Sequence, residues 1–189
     1  MRIIAGAFRG RRLRSPDWQG VRPTSDRLRE TLFNLLADRV EGARVLDGYA
    51  GTGAVGLEAL SRGALHCTFV DHDRRASALI EANASMCGVA GRYTVRCGDL
   101  LDVVRSRSHE RSFDMMLLDP PYDVANVRDV LAVAAGLLAP DGVLVLERAT
   151  RRALDPPPSL ERVRDVRSGD STLTIFRAAA GPPPTSEHA

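Results

Sequence analysis

The sequence has no lysine, few cysteines and no long hydrophobic run. All 26 basic residues are arginine, which we attribute to coding bias, so the choice of arginine carries little functional weight. The three cysteines are widely spaced, and an odd number without paired spacing argues against a disulfide framework or a zinc site. No apolar run approaches the roughly 20 residues that cross a bilayer, and no secretory-type segment follows the first arginines, so we expect a cytoplasmic protein.

Two catalytic patterns are also missing. No serine lies in a Gly-X-Ser-X-Gly elbow, and the four histidines show neither triad nor metal-ligand spacing. The sequence therefore gives little support to a hydrolase, and we expect no metal site.

What the sequence does contain is an uneven distribution of charge in a chain sized for one globular domain. The formal net charge is +2, yet residues 1–29 hold eight arginines against two acids, an excess of +6, which leaves −4 for the remainder. A solvated ribbon is one interpretation, but clustering of one sign is what phosphate contacts require, so we favour RNA binding. The predicted RNA-binding residues are Arg2, Arg9, Arg11, Arg12, Arg14, Arg22, Arg27 and Arg29.

The centre of the sequence is a glycine-rich turn. An apolar run, Ala43 to Leu46, leads into Asp47, and glycines at 51, 53 and 56 open a helical pattern. Glycines permit positive φ and bring backbone N–H groups, with a helix N-terminus, against a ligand. Asp71 follows Gly51 by twenty residues, a spacing suited to a ribose hydroxyl. The turn therefore predicts a nucleotide-like ligand.

Asp47 discriminates between two such ligands. The glycine pattern alone would indicate a nicotinamide enzyme. A carboxylate at the strand end repels a pyrophosphate, whereas it tolerates a cation. S-adenosylmethionine carries a sulfonium and an ammonium and no phosphate, so we predict this cofactor.

A second motif, Asp119-Pro120-Pro121-Tyr122, follows another apolar strand. The prolines stiffen the loop, so the Asp119 carboxylate and the Pro120 carbonyl can be held as paired acceptors for one exocyclic amine. Two acceptors would orient the amine hydrogens and free the nitrogen lone pair for attack. Tyr122 offers an aromatic face to an extruded base, a contact worth about 1–3 kcal/mol. We predict that these four residues form the catalytic motif.

From residue 43 onward, strand-like segments (43–46, 65–70, 93–97, 113–118 and 142–146) alternate with helix-like segments (54–62, 74–87, 100–106 and 127–138). This alternation predicts a mostly parallel, doubly wound α/β sheet. Leu160–Val166 and Thr172–Phe176 predict a final antiparallel hairpin. Ser25 is a predicted cap for an earlier helix, and Cys97 is predicted to be core. Acids fall at or just past the ends of successive strands, where open α/β sheets bind ligands. These acids are Asp47, Asp71, Asp99, Asp119 and Glu147.

Three regions are expected. Residues 1–40 are predicted to form a basic hairpin and helix that contact RNA, and residues 41–178 the catalytic domain. Residues 179–189 are predicted to be a disordered tail, because the segment is rich in proline and nearly devoid of large apolar side chains.

Together these motifs resemble a known family. The glycine loop and DPPY are similar to motifs I and IV of class I S-adenosylmethionine-dependent methyltransferases, in which DPPY is typical of amine methylation. MRIIAGAFRGRRL, RPTSDRLRETLFN, DGYAGTGAVGLEALSRGA and LLDPPY resemble the RsmD group, bacterial methyltransferases of the guanine 2-amino group in 16S rRNA. The likeness runs from Met1 to about Phe176. It implies a Rossmann-like fold with a seven-stranded sheet, a C-terminal antiparallel hairpin and a small N-terminal hairpin and helix.

The resemblance also implies residue roles. Asp47, Gly51 and Gly53 would cradle the methionine part, Asp71 would bind the ribose, and Asp99 and Leu100 would contact adenine. The predicted cofactor-binding residues are Asp47, Gly48, Tyr49, Ala50, Gly51, Thr52, Gly53, Asp71, His72, Asp99, Leu100 and Asp119. Gly48 and Tyr49 stand where the family more often has a hydrophobic pair such as leucine and phenylalanine, and Gly48 is expected to add freedom to the loop.

The implied partner is 16S rRNA, in an assembling small ribosomal subunit, and we expect a monomer without membrane contact. Three alternatives stay open. A DNA or RNA adenine amino-methyltransferase would use the same DPPY motif, although no separate sequence-reading domain is evident. Asp47 argues against a nicotinamide oxidoreductase, and the intact motifs argue against a noncatalytic RNA-binding protein.

Overall fold

The structure is a computed structural model, and it describes residues 1–16, 18, 26–106, 113–121 and 126–179. Seven strands lie within these ranges. They are β1 (Arg44–Gly48), β2 (His66–Asp71), β3 (Tyr93–Cys97), β4 (Phe113–Leu118), β5 (Leu138–Ala149), β6 (Leu160–Ser168) and β7 (Ser171–Ala178).

The helices of the same ranges connect these strands. They are α1 (Asp26–Leu35), α2 (Ala37–Val40), α3 (Ala54–Ser61), α4 (Arg74–Cys87), α5 (Leu100–Arg105) and α6 (Val127–Ala134), with a 3-10 turn at Ala135–Leu137. None of the helices in the described part of the chain has the length and apolar character needed to cross a lipid bilayer.

The strands form one sheet in the order β3-β2-β1-β4-β5-β7-β6. The first five are parallel neighbours, and β7 pairs antiparallel with both β5 and β6. The predicted mostly parallel, seven-stranded α/β sheet with a C-terminal antiparallel hairpin is therefore confirmed.

Both faces of the central strands are buried, which explains why their sequences read as continuous apolar runs. Val45, Met115 and Leu117 face one core, which contains α1, α3 and α4. Leu46 and Met116 face the other core, which contains α5 and α6. Because successive side chains of a strand alternate between faces, each apolar strand contributes side chains to both cores.

The N-terminal segment folds back on itself and packs against the first core. An antiparallel bridge joins Arg2 to Arg12, so the predicted hairpin is a single bridge rather than two extended strands. Ile3 and Leu13 are buried in the core. We call residues 1–16 the N-terminal arm.

Buried polar side chains of α3 and α4 fasten this arm. Glu58, which is fully buried, accepts hydrogen bonds from the backbone N–H groups of Ile4 at 2.7 Å and Ala5 at 2.9 Å. Asn83 accepts from the N–H of Arg14 at 2.8 Å and donates to its carbonyl at 3.2 Å. The arm is thereby held by backbone contacts that leave its arginine side chains to the outside.

Four local predictions need correction or lie outside the described residues. Cys97 was predicted to be core, yet it is exposed, because β3 is the edge strand of the sheet. The helix predicted over Val127–Leu138 ends at Ala134 and continues as the 3-10 turn. The Ser25 cap and residues 180–189 of the predicted tail lie outside the described residues.

Candidate functional site

The five predicted acids lie along one edge of the sheet, in the order of the strands. Reading across the sheet from β3 to β5, they are Asp99, Asp71, Asp47, Asp119 and Glu147. The strand order reverses between β1 and β4, which creates a topological switch point there. In open α/β sheets ligands bind in the crevice at such a point, outside the carboxyl ends of the strands.

The glycine-rich loop is folded tightly around two of these acids. Gly51 and Gly53 have φ values of 54° and 74°, which glycine adopts without steric cost. The Gly51 N–H donates to Asp71 Oδ2 at 2.8 Å, and the Gly56 N–H donates to Asp47 Oδ2 at 2.8 Å. Main-chain donors therefore hold both carboxyl groups in place.

Asp47 has an altered acidity. It is 4% exposed, and burial is the main reason that its pKa rises from 3.8 to about 8. The hydrogen bond from Gly56 opposes this rise, whereas the negative charges of Asp119 and Asp71 add to it. Without a nearby cation, Asp47 is therefore mainly protonated at neutral pH, and a cationic ligand beside it would favour the ionised form.

The structure does not support the expectation that Gly48 loosens the loop. Gly48 is the last residue of β1, paired with both Val70 and Leu118. A Cβ atom there would come within 2.6 Å of Leu118 Cδ2 and 2.8 Å of Leu100 Cδ2. Gly48 is therefore a paired strand residue packed closely against the ends of two leucine side chains, so the expectation that it loosens the loop was wrong.

The unusual backbone belongs instead to Tyr49, whose φ is 61°. Its ring packs against the core that contains α5 and α6. Burial, with the Asp99 charge as a second cause, raises the pKa of the Tyr49 hydroxyl to about 12. Tyr49 therefore stays protonated and can act as a hydrogen-bond donor at this edge.

The remaining predicted cofactor-binding residues differ in their exposure and in their hydrogen bonds. Asp99 is exposed and caps α5, accepting from the Leu101 N–H at 2.8 Å. His72 is also exposed. The side chain of Leu100 is 3% exposed and belongs to the core, so only its backbone could reach a ligand. Thr52 is buried, and its hydroxyl donates to Met1 Sδ at 3.4 Å.

The second predicted motif follows β4, the neighbour of β1. Asp119 is partly buried, Pro120 is buried and Pro121 is exposed. The Asp119 N–H donates to the Gly48 carbonyl at 3.4 Å, which joins this motif to the end of β1. Tyr122 lies outside the described residues, so its predicted stacking role stays a prediction.

A small recess, open to solvent, lies between α1 and the carboxyl end of the sheet. Its polar lining comes from Asp47, Asp119 and Glu147, and its apolar lining includes Leu28 and Leu32 of α1. A concave, mostly apolar surface with few polar groups is typical of a small-ligand site. Sequence reasoning placed these acids at one edge but did not assign Leu28 and Leu32 to the site.

The predicted RNA-binding arginines do not all lie on the surface. Arg2, Arg9, Arg11, Arg12, Arg14 and Arg27 are exposed, and Arg22 lies outside the described residues. Arg29 is fully buried, so its assignment to RNA contact is corrected. Its Nη2 donates to Asp26 Oδ1 at 2.6 Å and to the Arg2 carbonyl at 2.8 Å, which ties α1 to the arm.

Sequence reasoning also missed the anchoring residues of the site. The Asn83 amide donates to the Thr52 carbonyl at 3.0 Å while it holds Arg14, so it connects the glycine-rich loop to the arm. Glu58 anchors the arm to α3 through its hydrogen bonds with Ile4 and Ala5. Its charge inside the apolar stretch from Val55 to Leu60 was a usable signal, because a charged residue on a buried helix face requires partners.

Comparison with known proteins identifies relatives of this chain. The chain matches the family described as conserved hypothetical protein 95 over residues 1–177. It is 32% identical over 180 residues to ribosomal RNA small subunit methyltransferase D of Haemophilus influenzae, covering 94% of this chain and 93% of that protein. The Escherichia coli protein of the same name is 35% identical over 161 residues, covering 84% and 80% of the two chains.

Solved structures agree with the sequence matches. The yhhF protein of Escherichia coli superposes with a TM-score of 0.83 at 31% identity, covering 96% of this chain and 99% of that one. Such coverage includes the sheet, the glycine-rich loop and the N-terminal arm, and it confirms the predicted Rossmann-like methyltransferase fold. The chain therefore belongs to the family described as conserved hypothetical protein 95, the RsmD family of methyltransferases.

Proposed function

We propose that this methyltransferase moves a methyl group from S-adenosylmethionine to the exocyclic 2-amino group of a guanine in small-subunit rRNA. One observation carries the proposal. The glycine-rich loop after β1 and the Asp119-Pro120-Pro121 segment after β4 lie on adjacent strands, joined by the Asp119–Gly48 hydrogen bond, beside one recess. The names of the Haemophilus influenzae and Escherichia coli relatives support the choice of rRNA.

The donors and charges of the edge fit this cofactor. Asp71 and Asp99 would repel a pyrophosphate, whereas a ligand with two cationic groups and a ribose suits both acids and favours the ionised form of Asp47. A carboxylate has about four acceptor positions, so Asp71 can receive ribose hydroxyls in addition to the N–H groups of Gly51 and Asp73. When bound, S-adenosylmethionine supplies a methyl group on a positively charged sulfur, which leaves as a neutral thioether.

The chain's own contribution is to position the acceptor amine. We assign Asp119 and the Pro120 carbonyl as the two acceptors of the amine hydrogens, with Tyr122 and Pro121 beside the base. Accepting both hydrogens turns the nitrogen lone pair towards the methyl group, and one amine proton leaves to Asp119 and then to water as the N–C bond forms. Orientation of this kind lowers the barrier without a covalent enzyme intermediate.

The N-terminal arm supplies the RNA contact in this proposal. Five of its arginines are exposed, and they surround a backbone that is fixed to α3 and α4. Residues 1–40 thus act as the RNA-contacting extension and residues 41–178 as the catalytic domain. Phosphate contacts made by the arm hold the substrate, while the recess receives the extruded base.

Transfer of tritiated methyl groups tests the proposal. The purified protein is given labelled S-adenosylmethionine with unmodified 16S rRNA, with small ribosomal subunits lacking the modification, or with DNA. We expect label in one guanine of the rRNA, recovered as N2-methylguanine, and none in DNA. Label on adenine would instead establish the adenine amino-methyltransferase alternative, and comparison of free rRNA with subunits identifies the substrate form.

A further inference from the structure

Glu147 is the one acid of the edge to which the preceding mechanism gives no role. In the parallel ladder between β4 and β5, Leu118 is paired with Leu146. The next residues, Asp119 and Glu147, therefore stand side by side on neighbouring strands, which lie about 4.8 Å apart. Both residues line the recess.

The side chain of Glu147 shares a sheet face with Asp119. Leu117 and Val145, two residues earlier on each strand, are paired and line the same recess, and side chains two residues apart point the same way. Across β7, Glu147 is paired with Leu173, which also lines the recess. A base that enters this recess meets the adjacent carboxyl groups of Asp119 and Glu147, with that of Asp47 also in the lining, against an otherwise mostly apolar wall.

A hydrogen bond orients the Glu147 carboxyl group. Ser171 Oγ donates to Glu147 Oε1 at 2.9 Å, from the first residue of β7. Since a carboxylate offers about four acceptor positions, this bond fixes the group while leaving it capacity to accept from a ligand.

Guanine matches two adjacent acceptors. Its Watson–Crick edge presents the N2 amine and the N1–H next to each other, and both are donors. An adenine placed with its own amine at Asp119 would present the unprotonated N1, an acceptor, to the neighbouring carboxylate, and two acceptors repel. A flipped base is read by such contacts to its Watson–Crick edge.

We propose that Glu147 is the specificity-determining residue for guanine, accepting the N1–H while Asp119 accepts from the 2-amino group. This inference rests on the proposed function, because it assumes that a guanine amine is the methyl acceptor. It adds that Glu147 selects the base, whereas Asp119 positions the reacting nitrogen.

A substrate analogue tests the inference without any change in the protein. 2-Aminopurine keeps the 2-amino group but lacks the N1–H, so it replaces the target guanine in 16S rRNA assembled by ligation. We expect wild-type kcat/KM to fall by about 30-fold or more on 2-aminopurine, because a buried acceptor loses its donor. Equal transfer to both bases by the wild type would overturn the inference.

Glu147→Gln sharpens the test. The amide keeps an acceptor for Ser171 and can donate to an unprotonated N1, so we expect the preference for guanine over 2-aminopurine to shrink by about tenfold or to reverse. Glu161→Gln is the matched control, since Glu161 is exposed on β6 and paired with Arg177 at 2.8 Å. It should leave the preference unchanged, and the cofactor affinity of both variants should match the wild type.

Failure of the inference differs from failure of the proposed function. Methylation of guanine N2 by the wild type with the same guanine preference in Glu147→Gln overturns the role of Glu147 and leaves the proposed function intact. Wild-type transfer to adenine, or no transfer to rRNA, overturns the proposed function and the inference with it.

Discussion

The two halves of the ligand edge are built in different ways. On the β1–β3 half, each acid is held by a backbone N–H from nearby in the chain: Gly56 for Asp47, Gly51 for Asp71 and Leu101 for Asp99. On the β4–β5 half, Asp119 and Glu147 flank a recess whose walls come from α1, α3, β4, β5 and β7, and Asp47 of β1 lies at its border with the first half. The first half is a local, polar structure, whereas the second is assembled from distant and mostly apolar segments.

This difference matches the two ligands of the proposed reaction. A small cofactor of constant shape suits a rigid loop with preset hydrogen bonds, since little rearrangement is needed on binding. A base that must leave its stack and enter from a large RNA suits an open, apolar recess covered by a helix. We expect changes on one half to leave binding at the other half largely intact, and four substitutions examine that separation.

The largest expected effect comes from Asp119→Asn. The amide replaces one acceptor by a donor that opposes the amine hydrogens, so we expect kcat to fall by about 10²–10³-fold. Because Asp119 belongs to the acceptor half, the dissociation constant of S-adenosylmethionine should change by less than about threefold. Single-turnover methyl transfer and calorimetric cofactor titration measure the two quantities.

An exposed acid provides the control for this substitution. Asp102→Asn changes the same functional group on α5, away from the recess, and should leave both quantities unchanged. An Asp119→Asn variant with normal turnover would remove Asp119 from the mechanism. A variant that loses cofactor affinity instead would show that the two halves are not separate.

Asp47→Asn tests the polar half through the pH dependence of stability. The pKa of Asp47 in the folded protein, about 8, lies above its ordinary value of 3.8, so the folded state keeps a proton that the unfolded state releases. The free energy of unfolding therefore falls as pH rises from about 4 to about 8, by up to about 1.4 kcal/mol per pH unit. Asparagine removes this dependence and keeps an oxygen acceptor for the Gly56 N–H.

Denaturant unfolding of the wild type and Asp47→Asn at several pH values between 5 and 8 measures this effect. The stability of the variant relative to the wild type should increase with pH. Saturating S-adenosylmethionine should flatten the wild-type curve, because a cation beside Asp47 favours its ionised form. Parallel curves for the two proteins would contradict a raised pKa at Asp47.

The local character of the polar half also explains why it could be predicted from the sequence. Asp47, the glycines and Asp71 lie within one strand-turn-helix-strand segment, so spacing alone placed them together. The limits of β3, β4 and α4 were likewise predicted, because their apolar or amphipathic patterns end at clear polar or glycine residues.

Contacts between distant segments were not predictable in this way. Arg29 was assigned to RNA, but it is buried because Arg2 and Ala54 provide carbonyl partners from other parts of the chain. The strand predicted over Gly142–Leu146 extends over Leu138–Ala149. Pro140 and Asp141 normally indicate a turn, and here they lie at a register shift in the pairing of β4 with β5, where Asp141 has a φ of 64°.

Gly48 contacts both halves of the edge. Gly48→Ala should have a smaller effect than the two preceding substitutions. The new Cβ would crowd Leu118, next to Asp119, and Leu100, next to Asp99. Overpacking of a filled core costs about 1–3 kcal/mol, so we expect this loss in the free energy of unfolding together with weaker binding at both halves. Chemical denaturation measures the first effect, and titration of cofactor and RNA measures the second.

Leu100→Ala supplies the matching rescue. It removes the side chain that the new methyl group would meet, so the double variant should be more stable than the sum of the two single changes predicts. Strict additivity would mean that Leu100 moves aside without cost and that Gly48 is not required by packing.

The smallest effect is expected from the N-terminal arm, which lies beyond both halves. Arg12 is exposed, and the removal of one phosphate contact lowers the slope of log affinity against log salt by about 0.7–0.9. Arg12→Ala should therefore weaken rRNA binding a few-fold at low salt, with cofactor affinity unchanged. Arg96→Ala is the control, because Arg96 is exposed on β3 and does not belong to the arm. The two changes alter the net charge by the same amount. If both variants lost RNA affinity equally, the protein would attract RNA through its overall charge. A loss confined to Arg12→Ala assigns the contact to the arm.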